Sequence, residues 1–164
     1  MKRLNILIVA FLFYQFSNGQ SAKEIADLHC LSQTDAEKIL GQSAKLLESN
    51  VEKKDSATYY RCTYTLLIQP SATCNLYYQF EKYADTLLAK NVYKQMIANN
   101  REMQGQKPLS DLGEEAFLHT DQQHFDLIIF RKGNKLVRIK VNKITNTTSL
   151  KGMEQVARRL ASLI

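Results

Sequence analysis

No motif in this chain specifies a reaction. H-E-x-x-H is absent, and so is any paired cysteine motif, so neither a helix-borne nor a cysteine-framed metal site is encoded. Only two prolines and six glycines occur in 164 residues, with no low-complexity tract and no internal repeat. That composition excludes a disordered or collagen-like chain. No apolar run reaches the roughly 20 residues that a transmembrane helix needs. A large excess of one charge is missing too, and the net charge of +6 is ordinary for solubility. It gives no argument for nucleic acid as a partner.

The segment with the strongest signal is the first nineteen residues. Lys2 and Arg3 form a positive start, Leu4 to Phe16 is apolar apart from Asn5 and Gln15, and Ser17-Asn18-Gly19 supplies small residues for cleavage. This is the pattern of an export signal cut after Gly19, too short for a retained anchor. A lipoprotein is disfavoured, because Asp27-Leu28-His29-Cys30 lacks the small residues that such a site needs. The expected mature chain starts at Gln20 and holds 145 residues at a net charge of +4, after the loss of Lys2 and Arg3. That length suits one domain, 20–164. The expected location is the periplasm or the extracellular space, with no integral span after cleavage.

Three cysteines, Cys30, Cys62 and Cys74, fit an oxidising compartment. Cys62 and Cys74 fall on two arms of a hairpin turning near Pro70-Ser71-Ala72. Cys62 then lies opposite roughly residue 80, about 20 Å from Cys74 at 3.4 Å per residue, beyond disulfide reach. A bridge therefore involves Cys30, with Cys62 preferred to Cys74 as its partner. Closing a loop of about 30 residues contributes on the order of 3 to 4 kcal/mol. Cys74 shares the parity of Leu76, Tyr78 and Phe80 and reads as a buried small hydrophobe.

Periodicity predicts the elements. Ser32 and Thr34 are candidate N-caps for a short helix carrying Ala36, Ile39 and Leu40, which Gly41 ends. An extended segment is expected at Lys45 to Ser49, followed by a loop from Asn50 to Ala57. Tyr60, Cys62, Tyr64, Leu66 and Ile68 alternate with polar neighbours, and Cys74, Leu76, Tyr78 and Phe80 do the same. Helical spacing runs from Ala84 to about Arg101. Strands are expected around Ala116 and Leu118, from Phe125 to Arg131 and from Lys135 to Lys143, with a tight turn at Lys132-Gly133-Asn134. A last helix places Met153, Val156, Leu160 and Leu163 on one stripe. The order implies an α+β domain, one antiparallel sheet with helices packed on one face.

Cys30-Leu31-Ser32 leading into Asp35 to Gly41, Tyr60 to Tyr64, Leu112 to Phe117 and Arg131 to Lys135 together resemble exported bacterial domains of unknown function. The similarity is to small secreted proteins of Bacteroidota-type bacteria and, more distantly, to actinobacterial lipoprotein domains of the PsbP-like α/β fold. It extends from Cys30 to about Ala157. The resemblance implies a Cys30–Cys62 bridge and an α+β sheet domain, and it implies no activity. Cys74 departs from the family pattern, as does the missing lipid-attachment cysteine.

Candidate chemistry is sparse. His119, Asp121 and His124 sit in one expected hairpin loop and could hold Zn²⁺ with a fourth ligand from elsewhere; without such support a solvated turn is preferred. His29 beside Cys30 suggests thiol catalysis only if Cys30 is not bridged. Arg138 and Lys140 share one strand face, with Lys132, Lys135 and Lys143 nearby, a surface that would attract anionic glycans or lipid headgroups. The plainer reading is a solvated strand face, whose charges contribute little to folding. Tyr60, Tyr64 and Tyr78 lie on core stripes, whereas Tyr59 and Tyr77 point to the opposite face. Asn146-Thr147-Thr148 fits a glycosylation acceptor, meaningful only in a eukaryotic secretory pathway. The leading expectation is a non-catalytic exported module presenting a sheet face through Tyr59, Tyr77, Arg138 and Lys140 to an envelope protein, glycan or lipid. The alternative is an envelope hydrolase or metal-dependent enzyme built on His119 to His124. No cofactor is implied.

Overall fold

A computed structural model describes residues 28–67, 74–99 and 104–164. The export signal with its Gly19 cleavage site, the Pro70 turn with Ile68, and the end of the long helix at 100–103 lie outside the described residues. Among the described residues the chain runs α1 (Gln33–Leu40), β1 (Ala44–Lys54), β2 (Ala57–Leu66), β3 (Asn75–Tyr83), α2 (Thr86–Asn99), β4 (Gln106–Pro108), β5 (Glu115–Thr120), β6 (Asp126–Lys132), β7 (Lys135–Val141) and α3 (Leu150–Leu163). The strands form one antiparallel sheet in the order β1-β2-β3-β7-β6-β5-β4. This is the α+β architecture that the sequence implies. No described helix is long and apolar enough to cross a membrane.

Local chemistry accounts for the helix ends. Of the two candidate caps, Ser32 is the one used. Its hydroxyl oxygen accepts the Asp35 amide at 3.1 Å and donates to the Asp35 carboxylate at 2.6 Å, while Thr34 lies within the first turn. Gly41 closes α1 at φ 70°, its amide donating to the Glu37 carbonyl at 2.7 Å. The Thr147 carbonyl occupies the place where a Cβ of residue 41 would sit, so only glycine satisfies both demands.

Three expectations are corrected. Asn50 to Lys54 is not loop but the second half of β1, and the turn is confined to Asp55 and Ser56. Every residue of β1 after Ala44 is exposed, because β1 is the sheet edge. Without a buried side it carries no apolar alternation and resembles a loop in sequence. Gln106–Pro108, where no strand is expected, forms the short strand β4. The third correction concerns the helices. Residues 76, 78 and 80 of β3 and 137, 139 and 141 of β7 bury against the core that includes α1 and α3. The opposite parity, with Tyr83, Phe117, Ile129 and Leu136, packs on Ala89 and Tyr93 of α2. Helices therefore cover both faces, not one. The near-continuous apolar run of β6 is the sequence sign of a strand buried on both sides.

Cys30 and Cys62 are joined in a disulfide, their Cα atoms 5.7 Å apart. The bridge ties the chain before α1 to β2, beside hydrogen bonds from the Tyr64 and Tyr78 hydroxyls to the Leu31 and Leu28 carbonyls. Cys62 pairs with Tyr78, two residues short of the expected register. Cys74 is free and buried, its thiol donating to the Lys143 carbonyl at 3.1 Å.

Candidate functional site

Alternation along β2, β3 and β7 sends one parity to the α1–α3 core and the other to the α2 face, where α2 covers only part of the sheet. The uncovered part is a groove of about 440 Å³ whose side wall includes Met96 of α2, a volume within the ordinary range of small-ligand sites.

Strand register arranges its floor in rows. Glu48 pairs with Thr63, Thr63 with Tyr77, Tyr77 with Lys140 and Lys140 with Leu127. The next row reads Asn50, Arg61, Gln79, Arg138 and Ile129. All ten of these residues line the groove. A β-bulge between Leu46 and Glu48 changes the parity of β1, and that change is what directs Glu48 and Asn50 to this face.

Both arginines here are already matched. Arg61 pairs with Glu52 at 2.6 Å and lies 5.3 Å above the Tyr59 ring; the guanidinium holds the Glu52 carboxyl below its usual range. Arg138 donates from Nε to Glu81 at 2.7 Å and from Nη2 to the same oxygen. Glu81 is fully buried and also accepts the Tyr83 hydroxyl. Burial, with the carboxylate beside it, drives the Tyr83 hydroxyl pKa well upward. Arg138 is thus an anchored guanidinium, one-third exposed, and not the solvated surface charge expected from strand parity. Lys140 is exposed, with its ammonium 5.8 Å from the Phe125 ring centre. Among the described residues, neither Lys140 nor Glu48 is in an ion pair. Tyr77, 40% exposed, stands between them.

Tyr77, Arg138 and Lys140 all line the groove. Tyr59 does not line the groove; it packs edge-on against Tyr83, with ring centres 6.4 Å apart. Lys132 and Lys135 point to the other face, where Lys132 donates to the Ala161 carbonyl at 3.0 Å. Arg61, Thr63 and Gln79 were legible from parity alone, since they share it with Tyr59 and Tyr77. Glu48 and Asn50 were not, because a bulge has no signature in this sequence.

Compared with protein-family models, curated proteins and solved structures, the chain matches none.

The other candidates separate. His119 is buried in β5, its ring edge-on to Phe125 at 4.8 Å. Asp121 instead caps the following turn: its carboxylate accepts the amides of Gln123, His124 and Phe125 at 3.1, 2.7 and 3.1 Å, and lies 2.6 Å from the His124 ring nitrogen. Those contacts hold the Asp121 carboxyl far below its usual range. Asp121 and His124 are in contact but His119 does not join them, and no group of three His, Cys, Asp or Glu among the described residues is placed to hold a metal. His29 stacks on Tyr60 with ring centres 3.9 Å apart, next to a cysteine already bridged. Thr147 of the glycosylation pattern donates its hydroxyl to the Leu40 carbonyl at 3.0 Å, a structural role at the end of α1.

Proposed function

We propose that this protein is an exported, non-catalytic binding module that takes a small ligand with an anionic group in the sheet-face groove. One observation carries the reading: Lys140, without an ion-pair partner among the described residues, stands beside the anchored guanidinium of Arg138 and the exposed ring of Tyr77. Only Nε and Nη2 of Arg138 engage Glu81, so Nη1 can donate to an incoming anion, and Lys140 supplies the net charge. Leu127, Ile129 and Met96 offer apolar contact. Binding suits this set better than catalysis, since the described residues lining the groove include no histidine and no free thiol to act as base or nucleophile. The Cys30–Cys62 bridge supports the export half of the proposal. Kinship with small exported bacterial sheet domains belongs to the same proposal, carried by the segments around Cys30, Cys62, Glu114 and Gly133.

Amide-resolved NMR titration with benzoate tests the reading. The expected shifts fall on Thr63, Tyr77, Gln79 and Lys140, are lost in Lys140→Glu, and weaken with salt over a Debye length of about 10 Å at 0.1 M. Shifts confined to another surface, or none, would refute it.

A further inference from the structure

Among the described residues the groove has two unmatched charges, and they are of opposite sign. Arg61 and Arg138 of its second row are matched by Glu52 and Glu81. What is left lies in the first row, with Glu48 at one end, Lys140 near the other, and Thr63 and Tyr77 between them. Three interstrand steps separate Glu48 from Lys140, or about 14 Å between backbones at roughly 4.8 Å per step. A ligand that answers both ends must carry a cation and an anion that far apart, less the inward lean of the two side chains. An extended peptide of about four residues spans the gap at up to 3.3 to 3.6 Å each, with an ammonium at one terminus and a carboxylate at the other.

The geometry points to a short zwitterionic peptide as the ligand, lying across β1, β2, β3 and β7 with its ammonium at Glu48 and its carboxylate at Lys140 and Arg138. This rests on the proposed groove function and specifies its ligand class. Asn50, Thr63 and Gln79 supply donors and acceptors along the path for peptide N–H and C=O groups. Leu127 and Ile129 meet side chains at the carboxyl end. A phospholipid headgroup holds its two charges only a few bonds apart, too close to engage both residues. An acidic saccharide carries one sign of charge and leaves Glu48 facing an anion.

The peptide Ala-Leu-Phe-Ala is the probe, compared with its N-acetyl and C-amide forms by calorimetry and NMR on the purified protein. Each blocked form binds about fivefold or more weakly, and so does the free peptide to Glu48→Lys or Lys140→Glu, since each change removes one exposed charge pair. Both residues are exposed, so the variants fold, which circular dichroism verifies. Glu48→Lys with Lys140→Glu recovers only part of the lost binding, because the peptide can reverse direction but its ammonium then lies near Arg138, which is unchanged. Equal affinity for the free and acetylated peptides overturns the inference, as does tighter binding of trigalacturonate. If benzoate still shifts the groove amides in that case, the anion-binding reading stands alone. If neither benzoate nor any peptide shifts them, both proposals fall.

Discussion

Replacing Arg138 with alanine should destabilise the fold severely, the opposite of what its strand parity suggests. The cause is Glu81, which is fully buried and accepts two guanidinium N–H groups and one tyrosine hydroxyl. Removing the arginine strands a carboxylate in the interior with only Tyr83 to donate to it. Breaking one partner of a buried pair costs about 3 to 5 kcal/mol. Because the Arg138 side chain is 33% exposed, water reaches the vacated side, and the lower end, about 3 kcal/mol, is expected. For a domain of this size that lowers Tm by roughly 10 °C. Arg138→Glu should be worse, since it sets a second carboxylate beside the first. Urea unfolding of Arg138→Ala, Glu81→Ala and the double variant measures the coupling between the two side chains directly. The double variant should lose far less than the two single losses combined. A loss below about 1 kcal/mol in Arg138→Ala, or a coupling near zero, would refute the argument.

Four further outcomes are expected. Cys30→Ser and Cys62→Ser should each cost about 4 kcal/mol for their sequence separation of 32 residues, whereas Cys74→Ser, which retains a donor to the Lys143 carbonyl, should cost clearly less; equal losses in urea unfolding would overturn the assignment. Burial pushes the Tyr64 and Tyr93 hydroxyls up to about 12, so the folded state keeps protons that the unfolded chain releases near pH 10. Stability is therefore intact below about pH 10 and falls as pH rises towards 12, and a urea midpoint unchanged between pH 8 and 11 would contradict this. Gly152→Ala, normally favourable in a helix, should cost about 2 kcal/mol, because the added Cβ meets the Lys38 carbonyl where α3 crosses α1; a stabilised variant in thermal melts would show that the helices can separate. Intact mass of the exported protein should begin at Gln20, and retention of Met1 to Gly19 would overturn the assigned cleavage.

Elements that announce themselves through local periodicity were legible in the sequence. Tyr60 to Leu66, Leu76 to Phe80 and Val137 to Val141 alternate because one side of each strand is buried, and that repeat is written in consecutive residues. The Ser32 cap, the Gly41 stop and the Gly133 turn are local for the same reason. Elimination by hairpin geometry sufficed to bring Cys30 into the bridge. Tertiary structure alone decided the rest. α2 takes the sheet face opposite to α1 and α3, and its own apolar stripe does not say which face it will meet. Edge strand β1 lacks a buried side and so lacks a pattern, and its bulge turns Glu48 and Asn50 towards the groove. Whether Arg138 is a surface charge or the partner of a buried carboxylate turns on the pairing of Gln79 with Arg138, across 59 residues of chain. Local sequence determines a strand's two faces; only the register between distant strands determines which charges meet, because that register is set by packing the whole sheet at once.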